Sequence, residues 1–167
     1  MIAGLCTAVL LTVVRVHSDL SELVTEVTPM GIVSFELAES RAAAEEMMAV
    51  IGKSPLKVNI ILDFFLLIAY SCFFFFCCQA FISFFTKTWQ RWMGYLFLEL
   101  SVLAGLLDFI ENVAMLITLS ENITRTSVWV SRHAAIAKFG IIALVVVYII
   151  MMILVSYFYN KRRKGHG

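Results

Sequence analysis

The sequence predicts an all-α polytopic membrane protein, a bundle of four transmembrane helices with short amphipathic helices between the first and second spans. Three observations predict it. Of 167 residues, 61% are hydrophobic and 15% charged, with a mean hydropathy of +0.91, whereas soluble domains run at about 45–50% apolar and about 25% charged. The apolar residues fall in long runs, and about 20 of them in succession cross a bilayer. The charges are segregated: four of 13 Lys and Arg close the chain at Lys161 to Lys164, and seven of 12 acids lie between Asp19 and Glu46.

Residues 1–16 are read as the first span. The run is short for a full crossing, so a signal-peptide core and a span that begins upstream are its alternatives. Against a signal peptide stand the absence of a basic leading stretch and of a small-x-small cleavage pattern around Val13 to His17. Residues 28–52 form the outer helical segment. Thr28-Pro29 reads as a helix start, hydroxyl as N-cap and proline at the first helical position. Ile32, Phe35, Leu37 and Ala38 then give an apolar side to a short helix. Ser40 caps a second piece from Arg41 to Ile51, which Gly52 closes. Glu36 has two readings: a carboxylate exposed at the membrane surface, or one that dips into a polar site below.

The second span covers 57–85 and carries Asn59, Asp63 and Tyr70 on one face, the spacings being i, i+4 and i+11. Tyr70 is the weakest of the three, because tyrosines are common in spans as packing residues. The dense Phe73 to Phe85 half suits lipid contact. Trp89 and Trp92, with Lys87 and Arg91, have the chemistry of an interfacial anchor. The third span, 92–120, holds the stripe Ser101, Gly105, Asp108, Asn112, which is small or polar and allows a close helix neighbour. Glu99 lies on the opposite side of that helix. In the next connector Asn122-Ile-Thr124 matches a glycosylation pattern of low specificity. The fourth span, 133–160, is interrupted only near its start, by Lys138.

Four spans put both termini and the 86–92 connector on one side. That side carries the Lys161 to Lys164 cluster, so both termini are expected to be cytoplasmic, in a plasma or inner membrane. Nothing points to nucleic acid. The four cysteines, Cys6, Cys72, Cys77 and Cys78, form no metal or redox spacing and read as packed or lipid-facing thiols.

The candidate site is a set of ionisable groups held at similar depth. Asp63 lies about 9 Å below the start of its span, Glu111 and Asp108 about 12 and 16 Å from the outer end of theirs, and Lys138 about 8 Å into the fourth. Asp108, Glu111 and Asn112 share one helix face. Each charge at bilayer depth costs about 2.5–3.5 kcal/mol on insertion scales, so such groups are expected to pair. Asp63, Asp108 and Glu111 against Lys138 leave two excess negative charges, to be met by protons, a bound cation or a cationic ligand. Ligand-binding candidates are therefore Asp63, Asp108, Glu111, Asn112, Lys138 and Glu36.

The segment Gly31-Ile-Val-Ser-Phe-Glu36-Leu-Ala, the early Asp63, the run Leu-Asp108-Phe-Ile-Glu111-Asn and the Lys138 that opens the last span together resemble a group of small, mostly bacterial, four-span membrane proteins. The likeness runs from Thr28 to Lys138. It implies a fold and a shared polar site, and no activity; the short first span departs from it.

Three functions remain open on these residues. One is binding of a cation or small polar ligand, in a carrier subunit for example, where oxygen-only ligands would suit Ca²⁺, Mg²⁺ or Na⁺ better than zinc. A second is a structural or assembly subunit of a homo- or hetero-oligomeric membrane complex, whose polar groups fix helix register. The third is a membrane-embedded acid/base enzyme acting on a lipid-soluble substrate; no activated Ser or Cys nucleophile and no His-rich set supports hydrolysis.

Overall fold

The computed structural model describes residues 23–85, 87–120 and 123–164. These form five helices and no strand: α1 (Ile32–Glu36), α2 (Arg41–Ile51), α3 (Lys53–Phe84), α4 (Thr88–Leu119) and α5 (Arg125–Lys164). Three of them are long and apolar enough to cross a membrane, over 32, 32 and 34 residues. At about 1.5 Å per residue each exceeds the roughly 30 Å hydrocarbon core. The proposed first span, 1–16, lies outside the described residues, as do Cys6 and Asn122.

The short helices show how local chemistry sets boundaries. Ser40 accepts a hydrogen bond from the Ala43 amide at 3.2 Å, the N-cap expected of it. Gly52, at φ 89°, both ends α2 and leads directly into α3. Thr28 does something other than cap a helix. Its hydroxyl donates to the Leu23 carbonyl at 2.6 Å, and the chain makes a turn through Gly31 at φ 61° before α1 begins. The turn moves the helix start three residues past the position that Thr28-Pro29 suggested, and α1 keeps only five residues.

The long helices start earlier than their apolar runs. α5 begins at Arg125, eight residues before the expected 133, because Thr124 takes the Ser127 amide on its hydroxyl at 3.0 Å. Buried Val128 and Ser131 then continue the inner face from there. α3 begins at Lys53, which puts Pro55 inside the first turn, where its missing N–H costs nothing.

α4 lies between α3 and α5 and packs along both. Gly94 and Gly105 allow the close approach to α3. A Cβ at Gly94 would sit 2.4 Å from Ile82 Cγ1, and one at Gly105 would sit 2.5 Å from Ser71 Oγ. A serine hydroxyl can rotate away, whereas a β-branched side chain packed at χ1 cannot. Gly94→Ala is therefore expected to lower stability in detergent by about 1–3 kcal/mol, and Gly105→Ala by less. Equal denaturation midpoints for the two variants would contradict this packing.

Two apolar cores occupy the two ends of the bundle. At the α1–α2 end Phe35, Met48, Leu56, Ile60, Met115 and Val128 pack together. At the other end Phe74, Cys78, Val145, Tyr148 and Ile149 do so, with Phe97 stacked on Tyr148 at 4.1 Å. Cys78 is thus a packed thiol, 3.9 Å from Ser101 Oγ, while Cys72 is exposed. Outward, Phe65, Ile68, Leu106, Phe109, Val147 and Ile150 are all exposed. A belt of this size is what lipid solvates and water does not.

Candidate functional site

Between the two apolar cores lies a polar layer, with Lys138 at its centre. Its helix, α5, presents it inward: Ala134, Ala135, Val145 and Ile149 of the same face are buried, and Lys138 itself is 4% exposed. Three carboxylates surround the ammonium. Nζ is 2.8 Å from Asp108 Oδ1, 2.8 Å from Glu111 Oε2 and 3.8 Å from Glu36 Oε2. Asp108 and Glu111 come from α4 at i and i+3, so one helix face aims both at the lysine. Glu36 arrives from the end of α1, and with it the reading of a surface carboxylate is set aside: the side chain is 6% exposed. Its neighbours explain why. Phe35 and Ala38 anchor the segment in the apolar core, and the carboxyl is carried inward with them.

The pairing is uneven, and the unevenness is informative. Asp108 is fully engaged: Oδ1 accepts from Lys138 and Oδ2 from the Tyr70 hydroxyl at 2.6 Å. Asp63, on α3, accepts from Asn112 Nδ2 at 2.7 Å and so joins the layer through an amide rather than through the lysine. By contrast Glu111 Oε1 and Oε2, Glu36 Oε2 and Asn112 Oδ1 are buried and receive no hydrogen bond. Glu111 Oε2 is close enough to Lys138 for an ion pair, but not aligned for a hydrogen bond. With Asp63 and Glu36 both present, the layer holds four carboxylates and one ammonium, one carboxylate more than the spans alone supplied.

Glu36 lies outside the long helices, and its affinity for a proton is raised. Burial raises its pKa, the nearby Lys138 ammonium pulls it down, Asp108 pushes it up, and burial prevails. A carboxyl in this position favours a proton.

Each residue expected at the site is in or beside this layer. Glu36, Asp108, Glu111, Asn112 and Lys138 are buried, and Asp63 is half-buried at the α3 edge. Lys138 is 13 residues into its helix rather than near its start, because α5 begins so early. Tyr70 belongs to the layer although it ranked last on its face; its position seven residues after Asp63 was the available signal. Glu99 is exposed on α4. Toward the α1–α2 end, Thr118 donates to Ser127 Oγ at 2.9 Å, and Ser131 Oγ is buried without a partner. Neither serine stood out in the sequence, where their period was hidden in a connector.

Among the described residues no group of three or more His, Cys, Asp and Glu is arranged to hold a metal ion. Comparison of the chain with protein-family models, with curated proteins and with solved structures found no match.

Proposed function

We propose that this chain is a small multi-pass membrane protein whose lysine-centred layer binds protons, the cation of the site being a proton held between Glu111 and Glu36. One observation carries the reading: Glu111 and Glu36 are buried around the same ammonium, and Glu111 Oε1 and Glu36 Oε2 have no hydrogen-bond donor. Carboxyls so placed share a proton more readily than they both ionise. The groups that face them are Lys138 from α5, Asp108 from α4, and Tyr70 and Asp63 from α3. Lys138, Asp108 and Tyr70 form a triad in which both Asp108 oxygens are engaged, which suits a fixed counter-charge. Glu111, Glu36 and Asn112 are the members with capacity to spare.

A proton would reach the layer through the α1–α2 core, where Thr118, Ser127 and Ser131 supply buried hydroxyls. With the Lys161 to Lys164 cluster taken as cytoplasmic, the α1–α2 end would face outside. A small polar ligand bearing one positive charge would meet the same unsatisfied oxygens, and a carrier subunit could use either. A solely architectural role is supported by the Lys138–Asp108–Tyr70 triad and by nothing in the Glu111–Glu36 half.

Infrared difference spectroscopy of the protein in nanodiscs tests the reading. The parent at neutral pH is expected to show the C=O band of a buried protonated carboxyl, and Glu111→Gln with Glu36→Gln is expected to abolish it. The Glu36→Gln variant also carries a pH signature. Because the folded pKa of Glu36 is raised, its contribution to stability is complete below the unfolded value and is lost as pH rises through the folded one. Replacing it by Gln should remove up to about 1.4 kcal/mol per pH unit of that decline. A parent without the band, or a double variant that keeps it, rules out the proton.

A further inference from the structure

A second feature, apart from the polar layer, lies at the α1–α2 end. There the start of α2 and the first two turns of α5 enclose a cleft of about 450 Å³. Arg41, Arg125, Arg132 and His133 line it, against a single carboxylate, Glu39. Arg132 Nη2 pairs with Glu39 at 3.1 Å. Arg41 gives only its Nε to Glu45, at 2.7 Å, and Glu45 stands outside the cleft. Arg125 makes no ion pair among the described residues. The cleft therefore has an excess of guanidinium edges, and the Arg41 and Ala42 amides at the start of α2 add donors that lack intrahelical acceptors, that of Ala43 being taken by Ser40.

Two further facts narrow the ligand. Trp129, 59% exposed, forms one wall and stacks on His133 at 4.2 Å, an arrangement suited to the headgroup level of a bilayer. The wall that α5 contributes is about four turns from the apolar core at its far end, so the cleft opens where headgroups lie. Guanidinium groups match the oxygens of phosphate in two-pronged geometry, as they do those of carboxylate, and phosphate is the anion that the headgroup level supplies.

We propose that this cleft binds a phosphate-bearing anion, supplied either by the headgroup of an anionic membrane lipid or by free phosphate. Arg125 and Arg132 take the phosphate oxygens, and Trp129 covers the group from the bilayer side. Glu39 is the competitor for Arg132, with which it pairs.

Native mass spectrometry and thermal unfolding, run on the full chain, test this in three arms: phosphatidylglycerol, phosphatidylcholine, and phosphatidylcholine with inorganic phosphate. The parent is expected to retain phosphatidylglycerol over phosphatidylcholine, and Arg125→Gln with Arg132→Gln to lose about tenfold or more of that preference. Protection by inorganic phosphate in the third arm, lost in the same variant, would identify free phosphate as the source. Arg125→Gln alone guards against misfolding, because Arg125 is exposed and bears no buried contact. Lys53→Gln with Lys57→Gln, two exposed cations at the same end, should change nothing. The proposal is overturned if the parent shows neither preference nor protection, if the arginine variants behave as the parent does, or if the lysine variant loses as much as they do.

Discussion

Lys138→Met is expected to cost about 3–5 kcal/mol of unfolding free energy at neutral pH, the largest loss from any single substitution in the bundle. The methionine nearly fills the volume of the lysine stem, so the loss is electrostatic rather than steric. Removing the ammonium leaves Asp108, Glu111 and Glu36 facing one another in a space where all three are nearly closed to solvent. Asp108 also loses the donor to Oδ1 and retains only Tyr70. The deficit should shrink as the pH is lowered, because protons can then take over the role of the missing charge. Chemical denaturation in detergent at several pH values reads both effects. A variant as stable as the parent at neutral pH would mean that the three carboxylates are already neutral without the lysine, and the layer would have to be described as a hydrogen-bonded acid cluster.

How much of this was legible in the sequence depends on which physical signal each residue carries. Asp63, Asp108, Glu111 and Lys138 could be read directly, since a charge within an apolar run needs a partner and helix periodicity says which face it occupies. Ser40 and Gly52 were equally plain, because capping is chemistry of the immediate neighbours. The geometry of Glu36 was not legible. Nothing local distinguishes a surface carboxylate beside Phe35 from one carried inward by Phe35; only the packing of α1 on α5 decides. The Thr28-Pro29 signal failed for the same reason, a tertiary turn having claimed the hydroxyl for the Leu23 carbonyl. Tyr70 was ranked low on residue type, although its register placed it correctly. The early start of α5 was hidden because Thr124 to Arg132 is polar in composition, while its buried positions, Ser127, Val128 and Ser131, are mostly small and hydroxylated. The cationic cleft escaped notice in turn, since its arginines come from two segments 84 residues apart at Arg41 and Arg125, and no spacing rule joins them.

Replacing the whole layer should have the opposite effect to removing its centre. In a variant carrying Lys138→Met, Asp108→Leu, Glu111→Met, Glu36→Met and Tyr70→Phe, no buried charge and no orphaned hydroxyl remains at these positions. Buried ion networks exchanged for packed apolar groups of similar volume often leave a protein unchanged or stabilise it by about 1–4 kcal/mol. The adjoining surfaces favour that outcome here, because the layer is bounded by apolar cores on both sides and the substitutions would join them. Asp63 and Asn112 keep their mutual bond at the α3 edge. The fivefold variant is therefore expected to unfold at or above the denaturant midpoint of the parent, while Lys138→Met alone unfolds well below it. That contrast would show that the bundle does not depend on the charges for its stability. Such a result would support the proposal that the charges of the layer serve binding rather than the fold. If the fivefold variant instead inserts poorly or unfolds as early as the single one, the charges set the register of α4 against α5, and the architectural reading gains the support it now lacks.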